Sequence, residues 1–150
     1  MSVHTESRFV PAPPHMLFDL VADVERYPAF LPMWKAARIR KRESGAVYYT
    51  EQRVGIGPIN ERFTTRTVLG RPAWIEVTSS DRLFREFFIR WHFAPAEGGC
   101  RVGVELCWQV RSRLLQQAID LVLPKTTGAM IGAFEHEAKR GMILQRAYAT

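Results

Sequence analysis

A carboxylate standing in an otherwise uncharged alternation is the first residue to read for chemistry. Along Ile59 to Leu69 the less charged set of alternate positions is Ile59, Glu61, Phe63, Thr65, Thr67 and Leu69, and Glu61 is its anomaly. A titratable group facing a pocket can do general acid–base work. Glu61 is therefore the polar pocket candidate, joined by Tyr49 and Arg53 if their strand face is inward. The same carboxylate, buried, would more often serve as a structural hydrogen-bond acceptor, and both readings stay open. No Ser-His-Asp or Cys-His arrangement can be placed, so no residue is assigned as catalytic. Cys100 and Cys107 fall in one expected strand, where seven residues extend about 23 Å. A disulfide tolerates only about 7 Å between Cα atoms, so both are expected to be reduced thiols. His4, His15, His92 and His136 lie far apart, with no pair at ligand spacing beside a Cys or Asp, and no metal site is expected. Gly55-Ile56-Gly57 lacks the rest of either phosphate-binding fingerprint and reads as a turn.

Basic chemistry is concentrated in one run. Five of the eight residues from Lys35 to Arg42 are basic, namely Lys35, Arg38, Arg40, Lys41 and Arg42, in a chain of net charge +6. The run reads either as the solvated face of an edge strand, where charge prevents edge pairing, or as a contact for anionic lipid headgroups or RNA. DNA is not an expected partner.

The elements that must position these groups follow from length and periodicity. With 150 residues, 47% of them hydrophobic and 24% charged, the chain suits one domain, residues 1–150. Its longest stretch without a charged side chain, Phe9 to Phe18, is ten residues with three prolines, whereas a membrane span needs about twenty apolar residues. The start shows no secretory signal, so a cytoplasmic location, with peripheral contact at the inner membrane, is expected. Val3 to Val10 alternates as a strand. Pro11-Ala12-Pro13-Pro14 opens a helix with Leu17, Phe18, Leu20 and Val21 on its apolar face. Asp23 begins a second short helix, Val24 to Leu31, which Pro28 bends or interrupts.

Six strands then follow between turn signals: Trp34 to Arg42, Val47 to Val54, Ile59 to Leu69, Ala73 to Ser79, Phe84 to Phe93 and Arg101 to Arg111. Tight turns between them imply an antiparallel meander. From Leu114 the period becomes helical, with Leu115, Ala118, Ile119, Val122, Ala129, Met130, Ala133, Phe134 and Ala138 on one stripe and a kink or short break expected at Pro124. Only the sheet offers an apolar face large enough to bury that stripe. Phe87, Ile89, Trp91 and Phe93 share one face of their strand. Val102, Val104, Leu106, Trp108 and Val110 share one face of the next. Such aromatic faces under a helix either pack solid or enclose a mostly apolar cavity.

Four blocks, in order along nearly the whole chain, resemble the coenzyme Q-binding and polyketide cyclase/dehydrase branch of the START-like (SRPBCC) superfamily, which includes ribosome association toxins. They are Phe18 to Pro32, Val54 to Arg66, Leu83 to Pro95, and Ser112-Arg113-Leu114-Leu115 followed by Ala133 to Ala138. The sequence departs from the pattern at Met33-Trp34, at Ser80-Asp81-Arg82 and at Pro124. The resemblance implies an α+β helix-grip fold: a curved antiparallel sheet around a long C-terminal helix, with an internal apolar cavity. It further implies a non-catalytic carrier of ubiquinone or a related isoprenoid quinone, or a factor associating with the large ribosomal subunit, or an aromatase/cyclase. No cofactor is expected beyond such a bound quinone. The expected ligand contacts are Phe63, Trp91, Phe93, Leu106 and Trp108 from the sheet. Leu115, Ile119, Val122, Met130 and Phe134 are expected from the helix, with Phe30, Leu31 and Trp34 at the mouth. The basic run Lys35 to Arg42 would dock that mouth on anionic lipid or meet RNA.

Overall fold

A computed structural model describes the backbone of residues 3–149 and the side chains of residues 3–145. Strand β1 (Val3–Val10) leads through prolines into helix α1 (Pro14–Ala22), which has proline in its first turn, where no N–H is needed. The expected second helix is divided in two. A 3-10 turn, Val24–Arg26, precedes a single α turn, α2 (Tyr27–Phe30), and Pro28 sits in the first turn of α2. The meander follows as β2 (Trp34–Ser44), β3 (Val47–Ile56), β4 (Ile59–Gly70), β5 (Trp74–Thr78), β6 (Phe84–Ala96) and β7 (Gly99–Val110), and α3 (Arg113–Ala149) closes the chain.

All neighbouring strands pair antiparallel in the order β1-β7-β6-β5-β4-β3-β2, so β1 and β2 are the edges of a seven-stranded sheet. Several strands run longer than their sequence limits. Ser44 pairs with Val47, Ile56 with Ile59 and Ala96 with Gly99, which leaves two-residue turns. Two of these turns need a positive φ and supply it with Gly57 (φ 54°) and Gly98 (φ 79°).

The inner face of the sheet and α3 enclose the core, as the helix-grip arrangement requires. Val102, Val104, Leu106, Trp108 and Val110 are all buried along β7. Phe87, Ile89, Trp91 and Phe93 are buried along β6, so the alternation read from sequence gives the correct face of both strands. Phe84 breaks that alternation: a register shift between Phe84 and Glu86 turns it inward as well, and it is 3% exposed. There it joins Phe63, Phe87 and Trp108 in a group whose ring centroids lie 4.6–5.8 Å apart. On α3, Ile119, Met130, Phe134 and Ala138 are buried as expected, but Ala129 is exposed and Thr126, Thr127 and Ile131 take buried places. No break occurs at Pro124; the helix is continuous through it. Cys100 and Cys107 are free thiols, both buried.

Candidate functional site

The polar chemistry of the interior comes from β3, from residues the alternation makes inward. Tyr48, Thr50, Gln52 and Val54 are buried, while Tyr49 and Glu51 are half-buried and Arg53 is exposed on the opposite face. Trp34 Nε1 donates to Gln52 Oε1 at 2.7 Å. Gln52 Nε2 donates to Thr50 Oγ1 at 2.9 Å and to Thr65 Oγ1 at 3.3 Å, and the two threonine hydroxyls share a 2.5 Å bond. A buried amide is thus satisfied entirely by neighbouring side chains. Tyr48 donates its hydroxyl to the Ala22 carbonyl at 2.7 Å, and Tyr27 donates to the Val21 carbonyl, which ties the end of α1 to the sheet. Burial pushes the Tyr48 hydroxyl up to about 12 and the Tyr27 hydroxyl well above its ordinary value.

These groups border a small interior void of about 30 Å³, walled by Trp34, Tyr48, Gln52, Phe63, Trp91 and Met130 among others. That is room for a few small groups or waters at most, not the 300 Å³ or more of a ligand pocket. A second void, of about 10 Å³, touches Trp108, Ile119 and Val122. The internal apolar cavity expected from the resemblance is present but small, because aromatic rings occupy most of the space. Phe134 meets Tyr27, Phe30 and Trp91 at centroid distances of 5.4–5.6 Å, and Trp91 stacks on Phe93. A surface cleft of about 310 Å³ does exist between α1 and the far end of α3, but none of the expected ligand residues lines it.

The sequence-predicted set is thus divided. Trp34, Phe63, Trp91 and Met130 converge on the first void, and Trp108, Ile119 and Val122 on the second. Phe93, Leu106 and Phe134 are buried packing residues, and Leu115 is half-buried against the core. Leu31 and Trp34 are 2% and 5% exposed, and Phe30 is partly buried against the core, so these three cover the interior rather than frame an opening. Glu61 is half-buried opposite Val54 and lines neither void, so it is not the interior polar group. Tyr49 and Arg53 face outward, so the condition on which they would join the pocket is not met. The interior acceptor is Gln52. The uncharged alternation Tyr48, Thr50, Gln52 and Val54 was the signal for it.

The basic run lies on the edge strand, as read. The register shift between Ile39 and Lys41 keeps Arg38, Arg40 and Lys41 together on the outer face, while Arg42 falls opposite Tyr48. Arg40 pairs with Glu51 at 3.1 Å, while Lys41 lies over the Tyr49 ring and Arg42 over the Tyr48 ring. Lys35 packs its chain against Gly55. Arg38 is exposed and has no ion-pair partner among the described residues. The described residues contain no cluster of three metal-ligating side chains. None of their helices is long and apolar enough to cross a membrane.

Comparison with known proteins places this geometry in context. The family model described as polyketide cyclase/dehydrase and lipid transport matches residues 10–135. The ribosome association toxin RatA of Pseudomonas aeruginosa is 34% identical over 142 residues, which cover 93% of this chain and 98% of that protein. The mitochondrial coenzyme Q-binding protein COQ10 homolog B of Xenopus laevis is 25% identical over 142 residues, 91% of this chain but 58% of that one. A START superfamily protein from Mycobacterium smegmatis superposes with a TM-score of 0.79 at 17% identity, covering 92% of this chain and 97% of that one.

Proposed function

The chain belongs to the polyketide cyclase/dehydrase and lipid transport family, and on that premise we propose that it is a non-catalytic, ribosome-associating member, engaging the large subunit. The observation that carries this reading is where the accessible chemistry lies: the interior void is about 30 Å³, whereas the net charge of +6 is expressed on the surface. A basic surface is what phosphate backbones attract, with an affinity that falls steeply as salt rises. The near full-length similarity to a ribosome association toxin supports it. In a sucrose gradient at low salt the purified chain should migrate with large subunits and return to the top fractions when salt is raised. Retention at the top under all conditions would exclude the reading.

A second reading, carriage of a lipophilic quinone, is favoured by one observation: a hydrogen-bonded Trp34–Gln52–Thr50–Thr65 group set among aromatic walls. A headgroup carbonyl would compete for the donors of that group, and the isoprenoid tail would be worth about 0.8 kcal/mol per buried CH₂. Entry requires Phe134, Trp91 or Met130 to move, since the void is far smaller than the headgroup. Mass spectrometry of an organic extract from purified protein tests this, a stoichiometric quinone supporting it and an extract no richer than that of a charge-matched control excluding it.

A further inference from the structure

The positive charge on the outer surface of the sheet is not confined to β2 but extends over β3 and β4. Alternation on β3 turns Arg53 outward, and alternation on β4 does the same for Arg62 and Arg66. On β2, Arg38 stands opposite Glu51 and Lys41 opposite Tyr49, both on that surface, and Arg40 reaches Glu51 on the same side. All six basic side chains are exposed. The register sets Arg53 directly opposite Arg62. Like charges in that position destabilise a sheet. The nearby carboxylate, Glu51, is shared between Arg40 at 3.1 Å and Arg62 at 4.0 Å. Arg38, Arg53 and Arg66 have no ion-pair partner among the described residues. With strands about 4.8 Å apart and same-face residues about 6.8 Å apart, the set covers roughly 10 by 14 Å.

Folding does not require this arrangement and the Arg53–Arg62 pairing slightly opposes it, so an external counter-charge would relieve it. We propose that the outer face of β2–β3–β4 is the surface through which the protein docks on the phosphate backbone of ribosomal RNA, with Arg38, Arg53, Arg62 and Arg66 as its principal contacts. This rests on the ribosome-associating reading above and names its surface. Guanidinium groups match phosphate oxygens in a bidentate fork. Between Arg40 and Arg66 the surface dips into a depression of about 340 Å³, edged by Tyr49, Thr78, Ser79 and Ser80, with room for a phosphate and its flanking sugar. An RNA partner fits better than a membrane. Among the described residues, the large exposed apolar side chains Val3, Phe9, Leu114, Leu121, Ile143 and Leu144 lie on other elements, Ile56 sits at the β3–β4 turn, and Trp74 borders the surface with its ring over Gly70 at the end of β4, so none stands among the arginines. A membrane-docking face would carry apolar side chains among its cations.

The test compares wild type, Arg53→Gln/Arg62→Gln/Arg66→Gln and a control of equal net charge, Arg85→Gln/Arg101→Gln/Arg113→Gln, drawn from exposed positions on β6, β7 and α3. Binding to purified large-subunit RNA is measured across a salt series, beside binding to phosphatidylglycerol vesicles and co-sedimentation with intact subunits. Each lost phosphate contact should reduce the slope of log K against log salt by about 1. The face variant should therefore show a slope shallower by about 2–3, with an unfolding temperature no lower than wild type, and the control should keep the wild-type slope. An unchanged slope in the face variant, an equal loss in the control, or a loss confined to vesicles would overturn the proposal. If the face variant still co-sediments as wild type, the surface is wrong and ribosome association stands. If RNA binding depends on the three arginines but no form co-sediments, the surface stands and ribosome association falls.

Discussion

Gln52 shows how one side chain can organise an interior. It accepts from Trp34, donates to Thr50 and Thr65, and is 6% exposed, so its loss strands the Trp34 indole N–H in a dry place while the two threonines keep only the bond between them. Gln52→Leu should destabilise the fold by about 1–3 kcal/mol despite its similar volume, whereas Glu61→Gln should stay within about 0.5 kcal/mol, as surface changes do. Urea titration of the two variants separates them, and equal effects would contradict the assignment of Gln52 as the interior polar group. Tyr48 gives the pH response. Its hydroxyl ionises at about 12 in the fold against 10.0 ordinarily, chiefly because burial disfavours the phenolate. The unfolded chain therefore loses this proton first as pH rises. The stabilisation is complete below about pH 10 and is lost as pH climbs through about 12, a change of about 3 kcal/mol for a two-unit shift. Alkaline unfolding followed by circular dichroism should show this loss, and Tyr48→Phe should reduce it without abolishing it, since burial raises Tyr27 as well, while lowering stability at neutral pH by about 1 kcal/mol for the missing bond to Ala22. An equally steep alkaline loss in Tyr48→Phe would assign the effect to other groups. Burial raises both cysteine thiols as well, so Cys100 and Cys107 should react with thiol reagents at neutral pH only after denaturation.

At the scale of elements, what the sequence made legible was whatever depends on a simple period. Alternation placed Trp91 on β6 and Trp108 on β7, proline placed the start of α1, and the change to a helical period located α3. What stayed hidden depends on departures from a period. The shift between Phe84 and Glu86 turns Phe84 inward, and a bulge of this kind leaves no mark in a hydrophobic pattern. A register shift likewise brings Lys41 onto the face of Arg38 and Arg40, which a strict alternation would not do. The inward identity of Gln52 was accessible, since the alternation of β3 is as clean as that of β7, but a charged residue on β4, Glu61, drew the attention instead. The filled interior was not accessible, because periodicity assigns side chains to a face without telling whether opposing rings interlock or stand apart. One prediction belongs here. A Cβ at Gly99, where β7 begins, would lie 2.2 Å from the Val10 carbonyl oxygen of β1. Neither backbone can move without breaking the β1–β7 ladder, which pairs Val10 with Cys100. Gly99→Ala should therefore lower stability by more than about 1 kcal/mol relative to the same substitution at Gly45, where nothing lies within 4 Å. Thermal unfolding of the two variants gives the comparison, and equal midpoints would contradict the packing described.

At the scale of the whole molecule, the two faces of one sheet have opposite characters. The inner face has almost no free volume and commits its polar groups to one another. The outer face of β2, β3 and β4 has six exposed basic side chains, several without partners. A protein of this form has its unspent interaction energy on the outside, which is why a polyanionic partner is a better account of it than a buried ligand. The resemblance carried by the four sequence blocks led correctly to the helix-grip fold, but it covers members with different tasks, and the choice among them falls to the distribution of charge. The most direct measurement is the affinity of the intact chain for purified large ribosomal subunits across a salt series. The account predicts saturable binding at low salt and a linear fall of log K with log salt, with a slope of several units, as multiple phosphate contacts demand. Absence of binding at the lowest salt, or binding indifferent to salt, would contradict it.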